Sequence, residues 1–316
     1  VYTNFLDEDG GVHADLTISR LSSDNYRVVT GGADGNRDWV TLRNYRDDNG
    51  LDADINIRTH DIATLGLWGP DAKKALSHFI DPNEISIENF PFVTAKNLSL
   101  NLTNGKKIDV WAARISYVGE SGWEIYLDNN SEDGLALYDS LLEVGVIPVG
   151  IETYANSRRL EKSFRLQGAD LETDYNAIEA AIQRPLVKEA DFHGKAAHLS
   201  HRNEDPCAVL CTMTLDDLNV SGNTRYPVGI SPIIDPATGE VPVDSKGRRS
   251  YTTGMSYCPT VKKFVVMGYL PKEIAIQGKS LLIEYFNEDG DGLYPMTVQI
   301  VGKGSLYDPS NERVRA

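Results

Sequence analysis

Three short stretches of the sequence set charged groups into segments that a strand or helix would hold still. The first is Val12-His13-Ala14-Asp15-Leu16-Thr17-Ile18-Ser19. Side chains alternate across a strand, so Leu16 and Ile18 share one face and Asp15, Thr17 and Ser19 the other. Aspartate is depleted in strands, so Asp15 is either a solvent-facing edge residue or a group kept for a polar cleft. In a cleft, a carboxylate can orient an amine and accept its proton. The second stretch runs from Tyr117 through Gly119, Glu120, Gly122 and Trp123 to Glu124, Ile125 and Tyr126. Two glycines between strands predict a tight hairpin. Trp123, Ile125 and Leu127 then share one face, and Glu124 and Tyr126 the other. A hairpin can bring Tyr117 and Glu124 together. A carboxylate beside an aromatic ring suits a planar heterocycle with adjacent N–H donors, because its two oxygens accept two hydrogen bonds at once. The plainer reading is an exposed glutamate on an ordinary hairpin. The third stretch is Asn156-Ser157-Arg158-Arg159-Leu160-Glu161-Lys162-Ser163-Phe164-Arg165. Leu160 and Phe164, four apart, mark a buried stripe, and Arg158, Lys162 and Arg165 lie along another face. These cations either bind a carboxylate or pair with local acids such as Glu152 and Glu161, and surface pairing is the commoner fate.

The elements that would position these groups follow from periodicity and turn residues. Strands are predicted over 1–5, 12–21 and 26–30, with a helix over 37–46 stopped near Gly50. A strand over 63–68 leads into Gly69-Pro70-Asp71, a helix start, with Ala75, Leu76 and Phe79 at helical spacing. Strands follow over 94–102, 107–117 and 123–127. A helix over 131–144 places Leu135, Tyr138, Leu141 and Leu142 on one face, and a second helix covers 152–164. From Pro206 the texture becomes β-rich, with runs at 209–215, 226–234, 251–256, 264–270, 281–286 and 296–301 between Gly, Pro, Asn and Asp turns. That spacing suggests a small barrel or sandwich. No Gly-x-Gly-x-x-Gly fingerprint opens a helix after a strand.

A chain of 316 residues is long for one core and predicts two or three domains. Its 41% hydrophobic and 24% charged residues are those of an ordinary globular protein. With 31 basic and 46 acidic residues the formal charge is −15. Such a surface repels phosphate backbones and anionic lipid, so neither nucleic acid nor membrane is expected as a partner. The apolar runs are strand-length, and no basic-plus-apolar leader opens the chain. The first residue is Val1, so the natural start is expected upstream. Three cysteines, Cys207, Cys211 and Cys258, argue for a reducing compartment rather than a disulfide framework. His198 and His201 lack nearby partners at ligand spacing, so no metal site is expected.

In combination these stretches resemble the glycine-cleavage T-protein (aminomethyltransferase) family. Gly10-Gly11-Val12-His13-Ala14-Asp15-Leu16-Thr17 is similar to its glycine-rich turn and the Asp-Leu that follows, and Leu67-Trp68-Gly69-Pro70-Asp71-Ala72 to its strand-to-helix step. Ser116 to Glu124 resembles its Tyr-x-Gly-Glu-x-Gly-aromatic-Glu hairpin. Arg159-Leu160-Glu161-Lys162 and Gly168-Ala169-Asp170 resemble its helix and following loop. The similarity is closest to the folate-binding half of flavin-linked dimethylglycine and sarcosine dehydrogenases, which share the Ala-Asp-Leu-Thr and Arg-Leu-Glu-Lys wording. The resemblance implies that Asp15 is the catalytic carboxylate near the reacting nitrogens. It implies that Tyr2 and Tyr117 line the folate pocket, that Glu124 grips the pterin edge and that Arg159 belongs to the folate site. Thr30 falls near a position usually held by Asn and is placed by the resemblance among the folate-binding residues. Ala14 replaces a second Asp found in T-proteins proper, and Leu166-Gln167 departs from the family wording before Gly168.

The implied fold is α+β: a partial α/β domain over 1–57, a second α/β domain over 58–205 and a C-terminal β-barrel over 206–316, with the ligand where the domains meet. The first domain is incomplete by the family's pattern. The chain is therefore either the tail of a longer polypeptide or is completed by another chain. The implied activity is capture of a formaldehyde-level unit, as iminium or free formaldehyde, onto tetrahydrofolate to give 5,10-methylene-tetrahydrofolate. The implied donor is a small methylated amine, and any FAD belongs to an upstream flavoprotein domain or a partner. The alternatives are a tetrahydrofolate-dependent methyltransferase giving 5-methyl-tetrahydrofolate, and a non-catalytic folate-binding protein. The expected compartment is the cytoplasm, or the mitochondrial matrix in a eukaryote.

Overall fold

The computed structural model describes residues 1–128, 131–215, 229–287 and 290–316. Along the chain the elements run β1 (Tyr2–Leu6), β2 (Val12–Arg20), β3 (Tyr26–Thr30), α1 (Gly35–Asp48), β4 (Ile62–Trp68), α2 (Ala72–Leu76), β5 (Ala95–Asn101), β6 (Lys107–Ala113), β7 (Gly122–Asp128) and α3 (Ser131–Glu143). A π-helical stretch (Glu152–Arg158) passes into α4 (Arg159–Glu161), followed by α5 (Lys195–His201). The strands β8 (Ala208–Leu215), β9 (Ile233–Ile234), β10 (Thr252–Cys258), β11 (Lys263–Pro271), β12 (Ser280–Asn287) and β13 (Gly290–Val301) come next, and α6 (Glu312–Arg315) closes the chain. These form two compact units. One comprises Val1, Ile18–Gly150 and Ser310–Ala316, and the other Tyr2–Thr17 and Ile151–Pro309. Residues 151–205, grouped with 58–150 from the sequence, fall in the same unit as the C-terminal strands.

In the first unit an antiparallel sheet of order β4-β7-β6-β5 packs one face on a core of Leu67, Leu98, Leu100, Val110, Trp123, Ile125 and Leu127. The alternation expected at Trp123, Ile125 and Leu127 is present, and Glu124 and Tyr126 lie on the other face. Two expectations need correction. The connection from β6 to β7 is not a tight hairpin: it spans residues 114–121 and leaves Tyr117 in the loop. The helix α3 also buries a different face. Leu137 and Leu141 enter the core, whereas Leu135, Tyr138 and Leu142 are exposed. Leu135, Tyr138 and Leu142 form one apolar stripe and Leu137, Leu141 and Val144 another, so periodicity alone could not choose between them.

In the second unit β1 and β2 pair antiparallel, with Asn4 opposite Asp15 and Tyr2 opposite Thr17. Val12, Ala14 and Leu16 are buried on one side of β2, as the alternation predicts. The helix expected over 152–164 ends at Glu161, because Ser163 adopts left-handed backbone at φ 53°. The six-stranded sheet has the order β10-β11-β8-β13-β12-β9. Its strand β11 is buried on both faces. Phe264, Val266 and Leu270 enter one cluster, while Val265, Met267 and Tyr269 join Leu160 and Val12 in another. Each such buried side chain contributes roughly 1.5–3 kcal/mol. The sheet curls into a partly closed barrel. The Ile230 amide donates to Thr252 O (2.6 Å), Thr252 N to Ser231 O (2.9 Å) and Ile233 N to Ser250 O (3.2 Å). Gly268 makes this closure possible, since a Cβ there would stand 2.8 Å from Tyr251 O and 2.9 Å from Ile233 Cδ1. The strand expected over 226–234 begins outside the described residues, and within them only Ile233–Ile234 is strand.

Candidate functional site

Polar side chains gather in each unit. In the first, β7 lies between β4 and β6. Glu124 faces Gly66 on one side and Ala113 on the other, and Tyr126 faces Thr64 and Trp111. The Tyr126 hydroxyl donates to Glu124 Oε2. The rings of Tyr126 and Trp111 are tilted at 60° with centroids 5.0 Å apart. The Arg27 guanidinium, from β3, stands 4.4 Å over Trp111 and 5.6 Å from the Tyr126 ring centroid. On the opposite flank the Trp68 indole folds across Gly66, where a Cβ would meet it at 2.0 Å. Trp68 Nε1 donates to Ile115 O at 2.8 Å, which fixes the ring. Glycine at 66 therefore clears the space in which an indole can lie beside Glu124. Burial raises the Glu124 carboxyl above the ordinary carboxylate range, and the Tyr126 hydrogen bond opposes this only in part. The result is a carboxylate walled by aromatic rings.

Other residues singled out from the sequence lie apart from this face or serve it differently. Tyr117 is half-buried in the 114–121 loop, and strand pairing sets Ala113, not Tyr117, beside Glu124. That loop is tied down by Arg114, which donates to Phe90 O (2.7 Å) and to Ala316 O and lies 5.2 Å over the Trp123 ring. The Thr30 hydroxyl donates to Asp38, a buried carboxylate that also pairs with Arg37 at 3.1 Å.

In the second unit the Tyr2 hydroxyl donates to Asp15 Oδ2 at 3.0 Å. Burial, and then the Asp15 charge, push the Tyr2 phenol well above its ordinary range, so it remains a donor at neutral pH. The turn before β2 needs glycine: a Cβ on Gly11 would stand 2.1 Å from Thr173 O. Arg159 is 1% exposed. Its guanidinium donates to Ala155 O (2.9 Å), to Phe164 O (3.1 Å) and to the Asp170 carboxylate. Asp170 in turn accepts from Leu166 N (2.9 Å) and Thr253 Oγ1. Lys162 donates to Asp308 O at 2.6 Å. Arg165 bonds Ala180 O and Gly302 O, each at 3.0 Å. The cation cluster that the sequence offered to an anion is thus turned inward, and Arg159 has the prior task of neutralising Asp170.

Sequence reasoning missed Trp68, Trp111 and Arg27, which three other strands bring to the Glu124 face. One signal was available. Gly66 and Trp68 are two apart in a strand, the spacing at which an indole can fold over a glycine. No helix among the described residues is long and apolar enough to cross a membrane. No group of three His, Cys, Asp or Glu among them is placed to hold a metal ion.

Residues 1–189 match the family model of the GCVT N-terminal domain. The chain belongs to the GCVT family. Its human relative, mitochondrial dimethylglycine dehydrogenase, is 30% identical over 321 residues, covering 99% of this chain and 34% of that protein. The chain therefore spans about a third of the length of that relative. An aminomethyltransferase of Halothermothrix orenii is 27% identical over 288 residues, covering 90% of this chain and 72% of that one. The crystal structure of the glycine cleavage system aminomethyltransferase T from Bartonella henselae superposes with a TM-score of 0.71 at 21% identity. It covers 95% of this chain and 74% of the other. At that identity the likeness shows the fold, and it agrees with the mixed α and β architecture described above.

Proposed function

We propose that this GCVT-family chain transfers a one-carbon unit at the formaldehyde level to tetrahydrofolate, giving 5,10-methylene-tetrahydrofolate. The observation that carries the reading is the Glu124 face. A reduced pterin is a planar heterocycle whose edge presents adjacent N–H donors, and tetrahydrofolate supplies two nucleophilic nitrogens. A carboxylate withdrawn from water by Trp68, Tyr126 and Trp111 gains more from accepting two such donors than an exposed one would. Thr30 and Tyr117 are proposed to border the folate without gripping it. Arg159 is proposed to act indirectly, by holding the loop that carries Asp170.

Asp15 is the proposed catalytic residue. The Tyr2 hydrogen bond orients its carboxylate. Two N–H bonds of tetrahydrofolate are lost and two N–C bonds are formed. With an iminium donor, both protons end on the departing amine; with formaldehyde, the oxygen leaves as water. Asp15 would accept and relay one of these protons. The donor is a small methylated amine or the formaldehyde derived from it. Its prior oxidation needs a flavin-class oxidant and is given no residue of this chain.

The test is a single-turnover assay of Asp15→Asn, with the spontaneous condensation of formaldehyde subtracted. Tetrahydrofolate should bind nearly as well as to the unmodified protein, and the corrected rate should fall by roughly 10²–10⁴-fold. An unchanged rate reduces Asp15 to a strand residue and the chain to a folate holder. Analysis of the product separates 5,10-methylene- from 5-methyl-tetrahydrofolate.

A further inference from the structure

The connection from β6 to β7 is held at both ends by one distant acceptor. Arg114, its first residue, and Ser121, its last, both donate to the Ala316 carbonyl, Ser121 Oγ at 2.5 Å. The partners are 202 and 195 residues apart in sequence. Ser310–Ala316 accordingly falls in the first unit, with Val314 only 3% exposed. Its helix α6, Glu312–Arg315, is a single turn and too short to sustain itself alone. The segment therefore owes its place to what it touches.

The loop so clasped carries the bond that fixes one wall of the Glu124 face. Ile115 O, beside Arg114 in the chain, accepts from Trp68 Nε1 at 2.8 Å. At the other end Ser121 O accepts from the amide of Gly69, the residue after Trp68, at 3.0 Å. Trp68 is thus held from both ends of the loop, and its indole lies over Gly66, the β4 partner of Glu124. Arg114 couples the segment to this wall. It is 1% exposed, and its guanidinium is met by Phe90 O, Ala316 O and the Trp123 ring. Burial works against its charged form, and Glu88 opposes this only in part. A buried cation that loses an acceptor is strongly destabilised. Loss of the Ala316 carbonyl therefore favours movement of Arg114 toward water, and Ile115 moves with it.

We propose that residues 310–316 are a clasp that positions the Trp68 wall, so that this distant segment sets how tightly the Glu124 face holds a planar heterocycle. Arg114 and Ser121 are positioning residues that act through Ile115 and Trp68. With the segment seated, Ile115 O keeps its place, the indole stays over Gly66 and water is kept from the carboxylate. Without it, the indole loses the acceptor that fixes it, and Glu124 meets water that competes for its oxygens. The inference rests on the proposed function in one respect, the choice of tetrahydrofolate as the heterocycle.

The test compares the full 316-residue chain, the chain lacking residues 310–316 and Ser121→Ala, each with and without Trp68→Phe. Ser121→Ala leaves the segment in place and serves if the shortened chain does not fold. Hydrogen exchange of the Trp68 indole N–H is read first, without ligand, its NMR signal assigned by its absence from Trp68→Phe. Exchange should quicken about 10-fold or more in the shortened chain, the usual worth of a charge-assisted hydrogen bond, and about 3-fold in Ser121→Ala. Tetrahydrofolate affinity, by calorimetry, should fall by similar factors. In Trp68→Phe, which keeps a ring over Gly66 but gives Ile115 O no donor, the same changes should cost little further, since two steps of one path do not add. Unchanged indole exchange overturns the clasp. Faster exchange with unchanged affinity, or an affinity loss as large in Trp68→Phe as without it, overturns its role at the Glu124 face. If the unmodified chain does not bind tetrahydrofolate, the proposed function falls, and the exchange alone decides the clasp.

Discussion

Arg159 in one unit and Glu124 in the other are both charged side chains withdrawn from solvent. The fold treats them in opposite ways. Arg159 is enclosed by Ala155 O, Phe164 O, the Asp170 carboxylate and the Met267 thioether. Glu124 accepts from Tyr126 and is otherwise walled by rings, so that burial leaves its carboxyl raised. A matched buried charge is part of the scaffold. A buried charge with capacity to spare is poised for something that arrives later.

The comparison breaks most visibly if Arg159 is removed. Arg159→Met leaves Asp170 as an unpaired buried carboxylate, and losses of about 3–5 kcal/mol are usual when one partner of a buried pair goes. Urea unfolding should register that loss. The paired change Arg159→Met with Asp170→Asn should recover part of it, as a network of structural groups requires. The next effect falls on binding rather than folding. Glu124→Gln should weaken tetrahydrofolate by about 1.5–3 kcal/mol in a calorimetric titration and leave the unfolding midpoint nearly unchanged. A drop in stability as large as that of Arg159→Met would place Glu124 in the scaffold after all.

A pH series sharpens the contrast. Between the ordinary glutamate range and the raised value of Glu124, the folded chain holds a proton that the unfolded chain has lost. The stability due to this group is therefore present at low pH and lost as pH rises through that window. Ligand binding runs the other way: only the carboxylate accepts two donors, so affinity falls as pH drops through the same window. In Glu124→Gln that part of the pH dependence should vanish. The smallest expected effect belongs to Gly66→Ala. The new methyl group must push aside the Trp68 indole, which costs about 1–3 kcal/mol where packing is tight. Fluorescence of the displaced indole should report the shift, and tetrahydrofolate affinity should fall with it.

Much of the fold was legible in the sequence because two-residue alternation is a strong signal. The strand expected over 26–30 is β3, and the faces of β2 and β7 divide as their apolar residues predict. The face carrying Glu124 could be read for the same reason. What could not be read were choices made by packing. Nothing in Arg158-Arg159-Leu160-Glu161-Lys162 says which cation turns inward, because Asp170 and Phe164 O reach Arg159 only after Ser163 breaks the helix. The inward face of α3 was equally undecided between two leucine stripes. Trp111, Trp68 and Arg27 reach Glu124 through three strands far apart in the chain, a convergence that no local spacing records.

The closure of the barrel has a consequence for how this unit survives in a crowded solution. An open six-stranded sheet would present two rows of unpaired amides and carbonyls, each a template on which another chain could add a strand. Here one would-be edge, Ile230–Ile233, lies against the other, Ser250–Thr252, and the Pro232 carbonyl takes the Glu284 amide at 3.1 Å. The seam is held by far fewer bonds than the continuous ladder between β8 and β11. The amides of Ile230, Ile233 and Thr252 should therefore exchange with solvent well before those of Val265 and Met267. Self-association of this unit should begin along that line, with Gly268, whose missing side chain lets the edges meet, as its guard.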